Sequence, residues 1–336
     1  MLRNITVVYI ASFIVIAGGL KLSSVVILPF LMAVFIAIII SPVIKELENL
    51  KIPRILAFIL VITTIFIALG FIGNTVISTI NGLLSHLPEL QTKFKTFSDN
   101  IMSFISSYGI TNLQDLIVPS EFESSKIFAS LGSILRSSTQ LASKIFFVLL
   151  LVTFMLFETQ IFSQKVEYFA NKNPQTHHIV DTFISNLKRY LAIKSAASFA
   201  TGVFVWLGLE ILNVPYAPLW GIVAFVLNFI PTIGSIIAAF PAIFVALLLN
   251  DIATTIWVIA LYLVVNVVIG NFIEPKFLGK GLGISTLVVL LSLLFWGFLF
   301  GIGGMFLAVP LTMSLKIALD ANPSTKFIAI LLSDKV

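Results

Sequence analysis

The sequence predicts an all-α fold: a polytopic helical membrane protein of about eight spans, including short broken or re-entrant hairpins, plus an extramembranous helical hairpin. Three observations lead there. Hydrophobic side chains make up 59% of the 336 residues and charged ones 10%, whereas soluble domains carry about 45–50% and 25%. Mean hydropathy is +1.10. Apolar runs close to bilayer length recur along the chain, and in the second half Gly and Pro punctuate them.

The net charge of +5 does not point to nucleic acid. Lys and Arg sit in short segments between apolar runs, as a membrane orientation signal places them, and no basic recognition helix is present. The expected partner is the lipid bilayer. With no cysteine there is no disulfide framework, thiol nucleophile or Cys-based metal site.

Residues 1–80 hold the N-terminal spans. Segments 5–20 and 25–40 read as two short spans, the second carrying Pro29 and ending at Ser41-Pro42. The first is expected to be retained and not cleaved, since Lys21 is soon followed by another apolar run. The loop 41–54, with Lys45, Lys51 and Arg54, is expected in the cytoplasm with both termini. A third helix, 53–80, opens at Pro53, tolerated in a first turn.

Residues 81–143 turn polar. Leu83, Leu87, Leu90, Phe94, Phe97, Ile101, Phe104 and Tyr108 alternate by four and three, the stripe of a helix that buries one narrow face. Pro88 starts or bends this helix and Gly109 ends it. Ser120 and Glu123 then form a capping-box pair for a second helix. The segment is expected outside the cell. A transmembrane helix, 144–158, follows, then a basic stretch, 159–194, with Lys165, Lys172, Lys188, Arg189 and Lys194 against Glu167 and Asp181, expected in the cytoplasm. His177 and His178 are adjacent, so they point in different directions on a helix and make no joint metal site.

The core, 195–319, precedes a tail, 320–336. Spans are expected at 195–212, 217–234, 235–250, 252–272, 284–300 and 301–319, several of them short for a crossing, as in discontinuous helices that build transport sites. IGSIIAAFP at 233–241 and IGGMFLAVP at 302–310 agree at four of nine positions with a constant offset of 69 residues, a weak repeat signal for two similar hairpins. Gly297, Gly301 and Gly304, with Pro310 nearby, have the small-residue spacing that lets helices approach closely.

The polar knot 266–283, NVVIGNFIEPKFLGKGLG, lies between two apolar runs. Its candidate path residues are Asn266, Asn271, Glu274, Pro275, Lys276 and Gly279, joined by Asn228, Pro231 and Gly234 from the preceding break. Proline frees backbone carbonyls, and ionisable groups at membrane depth mark solute or ion paths when protein or a water-filled cavity surrounds them. The competing reading of the knot is a solvated loop between spans. No phosphate-binding G-x-x-x-x-G-K-[ST] loop, H-E-x-x-H or G-x-S-x-G occurs, so neither ATP hydrolysis nor membrane-embedded hydrolysis is expected, and no cofactor is called for.

NFIPTIG (228–234), NFIEPKFLGKGLG (271–283) and WGFLFGIGGMFLAVPL (296–311) resemble the signature segments of the autoinducer-2 exporter family of bacterial membrane proteins. The resemblance covers nearly the whole chain. It implies a multi-pass transporter of the bacterial inner membrane that assembles as a homo-oligomer, a pentamer being the family's suggestion. Members have been assigned to export of the quorum-sensing furanone and others to Na⁺(Li⁺)/H⁺ antiport. Pro231, Gly234, Glu274, Pro275, Gly279 and Pro310 fall on the family pattern, whereas Asn228 stands where many relatives carry an acidic residue. Three functions follow as expectations: export of a small polar metabolite such as autoinducer-2, cation/proton antiport with Glu274 as carrier, or a non-transporting membrane scaffold.

Overall fold

The computed structural model describes residues 2–107, 138–170, 174–278 and 283–334, and every regular element among them is helical. Helix α1, Leu2–Leu22, is followed after one residue by α2, Ser24–Asn49, which runs through Pro29 and Pro42. Next come α3, Arg54–Ser85, and α4, Leu87–Ser107. Helix α5, Ser138–Ala170, lies against α2, where the small residues Ala33 and Ala37 pack with Val152 and Leu156. Arg54 ties the end of this layer, donating to the Leu156 carbonyl at 3.4 Å.

The amphipathic stripe expected on one helix is divided, Leu83 falling in the last turn of α3 and Leu87 to Phe104 in α4. Leu83 and Leu90 pack against Leu248, and Phe94 meets Phe244 at 5.9 Å between ring centroids. Phe104, further along, is exposed. Tyr108, Gly109 and the capping pair Ser120 and Glu123 lie outside the described residues.

Helix α6, Pro174–Ile211, is continuous. It starts on a proline, whose missing N–H costs nothing in a first turn, and carries both the basic stretch and the following apolar run. The boundary expected at 194/195 therefore falls inside one helix. After it, α7, Ala217–Leu227, and α8, Ile233–Leu249, form a hairpin in place of two crossings. Eleven residues rise about 16 Å, roughly half the hydrocarbon thickness of a bilayer. The chain reverses through 228–232, with Thr232 at φ 63°. Gly234 sits so close to the Leu227 carbonyl that any Cβ there would collide with it.

Asp251 then caps α9, Ile252–Val265, by accepting from the Thr254 amide at 2.6 Å. These hydrogen bonds hold its carboxyl below the usual aspartate range, so the ionised cap persists above that range and is lost on acidification. The helix widens into a π turn at Asn266–Ile273, in which the Glu274 amide reaches back to the Ile269 carbonyl, and ends as α10, Glu274–Leu278.

Helix α11, Thr286–Asp320, is broken at Gly301, with φ 66° and ψ −148°. Its two limbs fold back on each other: Trp296 Nε1 donates to Thr312 Oγ1 at 2.9 Å across 16 residues, which a straight helix would hold about 24 Å apart. Gly297 lies under Met305, and a Cβ at Gly304 would strike the Trp296 backbone. Gly301 has open space around it. It makes the turn, whereas the other two glycines let the limbs close. The last described helix is α12, Lys326–Leu331.

Among the described residues, five helical stretches are long and apolar enough to span: Ser24–Asn49, Arg54–Leu83, Val180–Ile211, Ile252–Phe277 and Thr286–Asp320, and the last doubles back at Gly301. Thr232 and Gly301, the positive-φ residues of the two reversals, are themselves 69 residues apart, the offset of the sequence echo. The protein is an all-α polytopic membrane protein.

Substituting Gly301 tests the second reversal. Its backbone conformation is open almost only to glycine, so Gly301→Ala is expected to cost about 1–3 kcal/mol. Gly70→Ala, in α3 with nothing near its Cβ, is expected to be neutral or to stabilise by up to about 1 kcal/mol. Thermal unfolding of both variants in detergent makes the comparison.

Candidate functional site

One face of α6 organises the site. Leu187, Leu191, Lys194, Ser198, Thr201 and Val205 succeed each other by four and three and are all buried, so the spacing puts them in one row toward the interior. Two glycines bring the neighbouring helix in. A Cβ at Gly202 would lie 2.8 Å from the Gly221 carbonyl, and one at Gly221 the same distance from that of Gly202, so α6 and α7 touch backbone to backbone.

This approach carries the reversal between α7 and α8 onto the α6 row. Asn228, buried at the tip, donates through Nδ2 to Ser198 Oγ at 3.1 Å and accepts on Oδ1 from Ser235 Oγ at 3.2 Å. Both halves of the amide are used. One turn along α6, Lys194 Nζ donates to both oxygens of Glu274, at 2.9 and 3.0 Å. The side chains of the pair are only 5% and 14% exposed. Arg189 adds a second tie, donating to the Phe277 carbonyl at 3.1 Å. Two cations of α6 thus hold the end of the chain that leaves the π turn.

Beyond the amide cluster lies a small cavity bounded by Thr201, Ser235, Tyr262 and Asn266. About 10 Å³ is open to the centre of a water-sized sphere, room for roughly one water. The buried Tyr262 hydroxyl has no hydrogen-bond partner among the described residues. The row therefore runs from an open hydroxyl, through a saturated amide cluster, to a closed ion pair. Its polar members, Lys194, Ser198 and Thr201, are flanked by the apolar Leu187, Leu191 and Val205 of the same row.

The expected path residues divide. Asn228, Asn266 and Glu274 lie along this interior row. Pro231 and Gly234 shape the reversal that presents Asn228. Asn271, Pro275 and Lys276 are exposed, off the row, and Gly279 lies outside the described residues. Pro310 is buried within the second limb of α11. Lys194, Ser198, Thr201, Ser235 and Tyr262 were not among the expected residues. The signal for three of them was present, since Lys194, Ser198 and Thr201 keep a four-three spacing. No group of three or more His, Asp or Glu side chains able to hold a metal occurs among the described residues.

Two ions removed from water stabilise each other only as a pair, and removing one strands the other. Lys194→Met and Glu274→Leu are each expected to destabilise by about 3–5 kcal/mol, and the two together to recover most of the loss. A double-mutant cycle by thermal unfolding measures the coupling. At the neighbouring cluster, Asn228→Ala removes the partner of the buried Ser198 hydroxyl and of the half-buried Ser235 hydroxyl and is expected to cost about 1–3 kcal/mol.

The chain matches the family model described as AI-2E family transporter over residues 10–324. A relative from Haemophilus influenzae, named as a transport protein, is 38% identical, covering 98% of this chain and 96% of its own length. The AI-2 transport protein TqsA of Escherichia coli is 35% identical, with 98% and 95% covered. The transport protein YhhT of Escherichia coli is 33% identical, with 96% and 92% covered. With a family match across nearly its whole length and a fold of apolar helices broken around an enclosed polar row, the chain belongs to the AI-2E family of transporters.

Proposed function

We propose that this chain is a secondary transporter that exports a small polar metabolite, with autoinducer-2 as the first solute to test. The observation that carries the reading is the buried Lys194–Glu274 pair, in line with the Asn228 cluster at broken helices. Charges in a membrane interior are expensive and mark function by default, and reversals with free backbone dipoles surround binding sites in transporters. The solute is drawn from the printed name of the relative TqsA. A neutral hydroxylated molecule suits the row, because the Tyr262 hydroxyl, without a partner among the described residues, offers a hydrogen bond without adding charge.

The same pair weighs against the Na⁺(Li⁺)/H⁺ antiport reading. Both Glu274 oxygens are taken by Lys194, so an arriving cation has to displace an ammonium first. A scaffold role would leave the enclosed polar row without a purpose. Assembly as a homo-oligomer in the bacterial inner membrane, with both termini cytoplasmic, completes the proposal, the orientation resting on Lys45, Lys51 and Arg54 and on Lys165 and Lys172.

Purified protein in liposomes loaded with labelled autoinducer-2 tests it. Wild type is expected to release label faster than protein-free liposomes, and Asn228→Leu to slow release by about tenfold, equivalent to ~1.4 kcal/mol of barrier. Wild-type release no faster than from empty liposomes would refute the assignment of this solute.

A further inference from the structure

We infer that Lys194 is a built-in counter-ion, seated where a monovalent cation would otherwise bind Glu274, so that the native protein needs no alkali cation at this site and loss of the ammonium turns Glu274 into a sodium site. The geometry is that of a bound cation. Nζ lies nearly equidistant from the two carboxylate oxygens, at 2.9 and 3.0 Å, and Lys194 itself is 4% exposed. Among the described residues Lys194 has no other carboxylate within ion-pair distance, so the pair is one to one and neutral.

The surroundings leave little else to balance Glu274. Arg189 is committed to the Phe277 carbonyl, and Lys276 is exposed. Tyr190, buried on α6, brings no positive charge. A carboxylate left alone in this setting must either take a proton or recruit a cation. With the ammonium gone, both carboxylate oxygens of Glu274 are released as ligands. Hard alkali cations take such ligands.

The inference concerns the ion requirement of the site proposed above for transport, and it rests on that reading only for its meaning in a transport cycle. It is tested by binding, with no solute present, so failure of one leaves the other standing. Purified wild type, Glu274→Gln, Lys194→Met and Lys194→Met with Glu274→Gln are compared by equilibrium binding of radioactive sodium. Their unfolding midpoints are measured in sodium chloride and in choline chloride at equal ionic strength.

Wild type and Glu274→Gln are expected to bind no sodium above background and to unfold at the same temperature in both salts. Lys194→Met is expected to bind about tenfold more sodium than the double variant, and to gain about 2–4 °C in sodium over choline, as a ligand that binds only the folded state would give. Sodium binding by wild type that Glu274→Gln abolishes would overturn the inference. So would a folded, monodisperse Lys194→Met that binds none. If Lys194→Met does not purify, Lys194→Gln, whose amide can still hydrogen-bond Glu274, takes its place with the same two outcomes, and the comparison of wild type with Glu274→Gln decides independently.

Discussion

An ammonium and a carboxylate withdrawn from water hold each other with a strength that neither has alone, and the arrangement of the C-terminal half follows from keeping them together. Lys194 sits in the middle of a long unbroken helix, and Glu274 sits 80 residues later, just past a turn of widened helix. To join them, α6 must lie beside the end of α9, and the apolar sequence around both must exclude competing water. The Arg189 tie to Phe277 holds the same end from one turn away. Desolvation offsets much of the attraction, so the pair is better understood as fixing position than as a reservoir of stability.

Much of the fold was legible because it depends on local signals. Apolar length marks a span, a proline or glycine marks a reversal, and a four-three stripe marks an amphipathic helix. Pro231, Gly234 and the run ending at Pro310 were read as features of broken hairpins, and the structure contains reversals at Thr232 and Gly301. The 69-residue echo proved to share its offset with these two strained residues. Local signals fail where a partner lies far along the chain. Lys194 closes a basic stretch, and a lysine beside an apolar run ordinarily marks the membrane interface; its four-three register with Ser198 and Thr201 sets it apart from Lys188 but names no partner. Its pairing with Glu274 is a property of the packed helices.

The same reasoning accounts for the polar knot. Asn271 and Lys276 are close to Glu274 in sequence, and nearness made them look like one cluster. Lys276, two residues beyond Glu274, points away from it on a helix, and the widened π turn takes Asn271 off the face that a three-residue spacing would share in a regular helix; both are exposed. Asn228 is 46 residues from Glu274 in the chain yet shares the α6 row with it, because Gly202 and Gly221 let two backbones meet. A close helix contact thus does what sequence proximity does not.

The two hairpins meet along a seam of a different kind. Phe229 stacks on Phe306 at 4.4 Å, and Ile230 packs with Leu293 and Ala308. Oriented hydrogen bonds bind the first hairpin to α6, whereas this joint consists of apolar surfaces that have no preferred register beyond their shape. Aromatic and aliphatic faces can exchange one contact for another of similar worth, as packed helices do when they shear. The contact of the first hairpin with α6 is thus fixed in register by hydrogen bonds, whereas its seam against α11 is held by the fit of apolar surfaces alone.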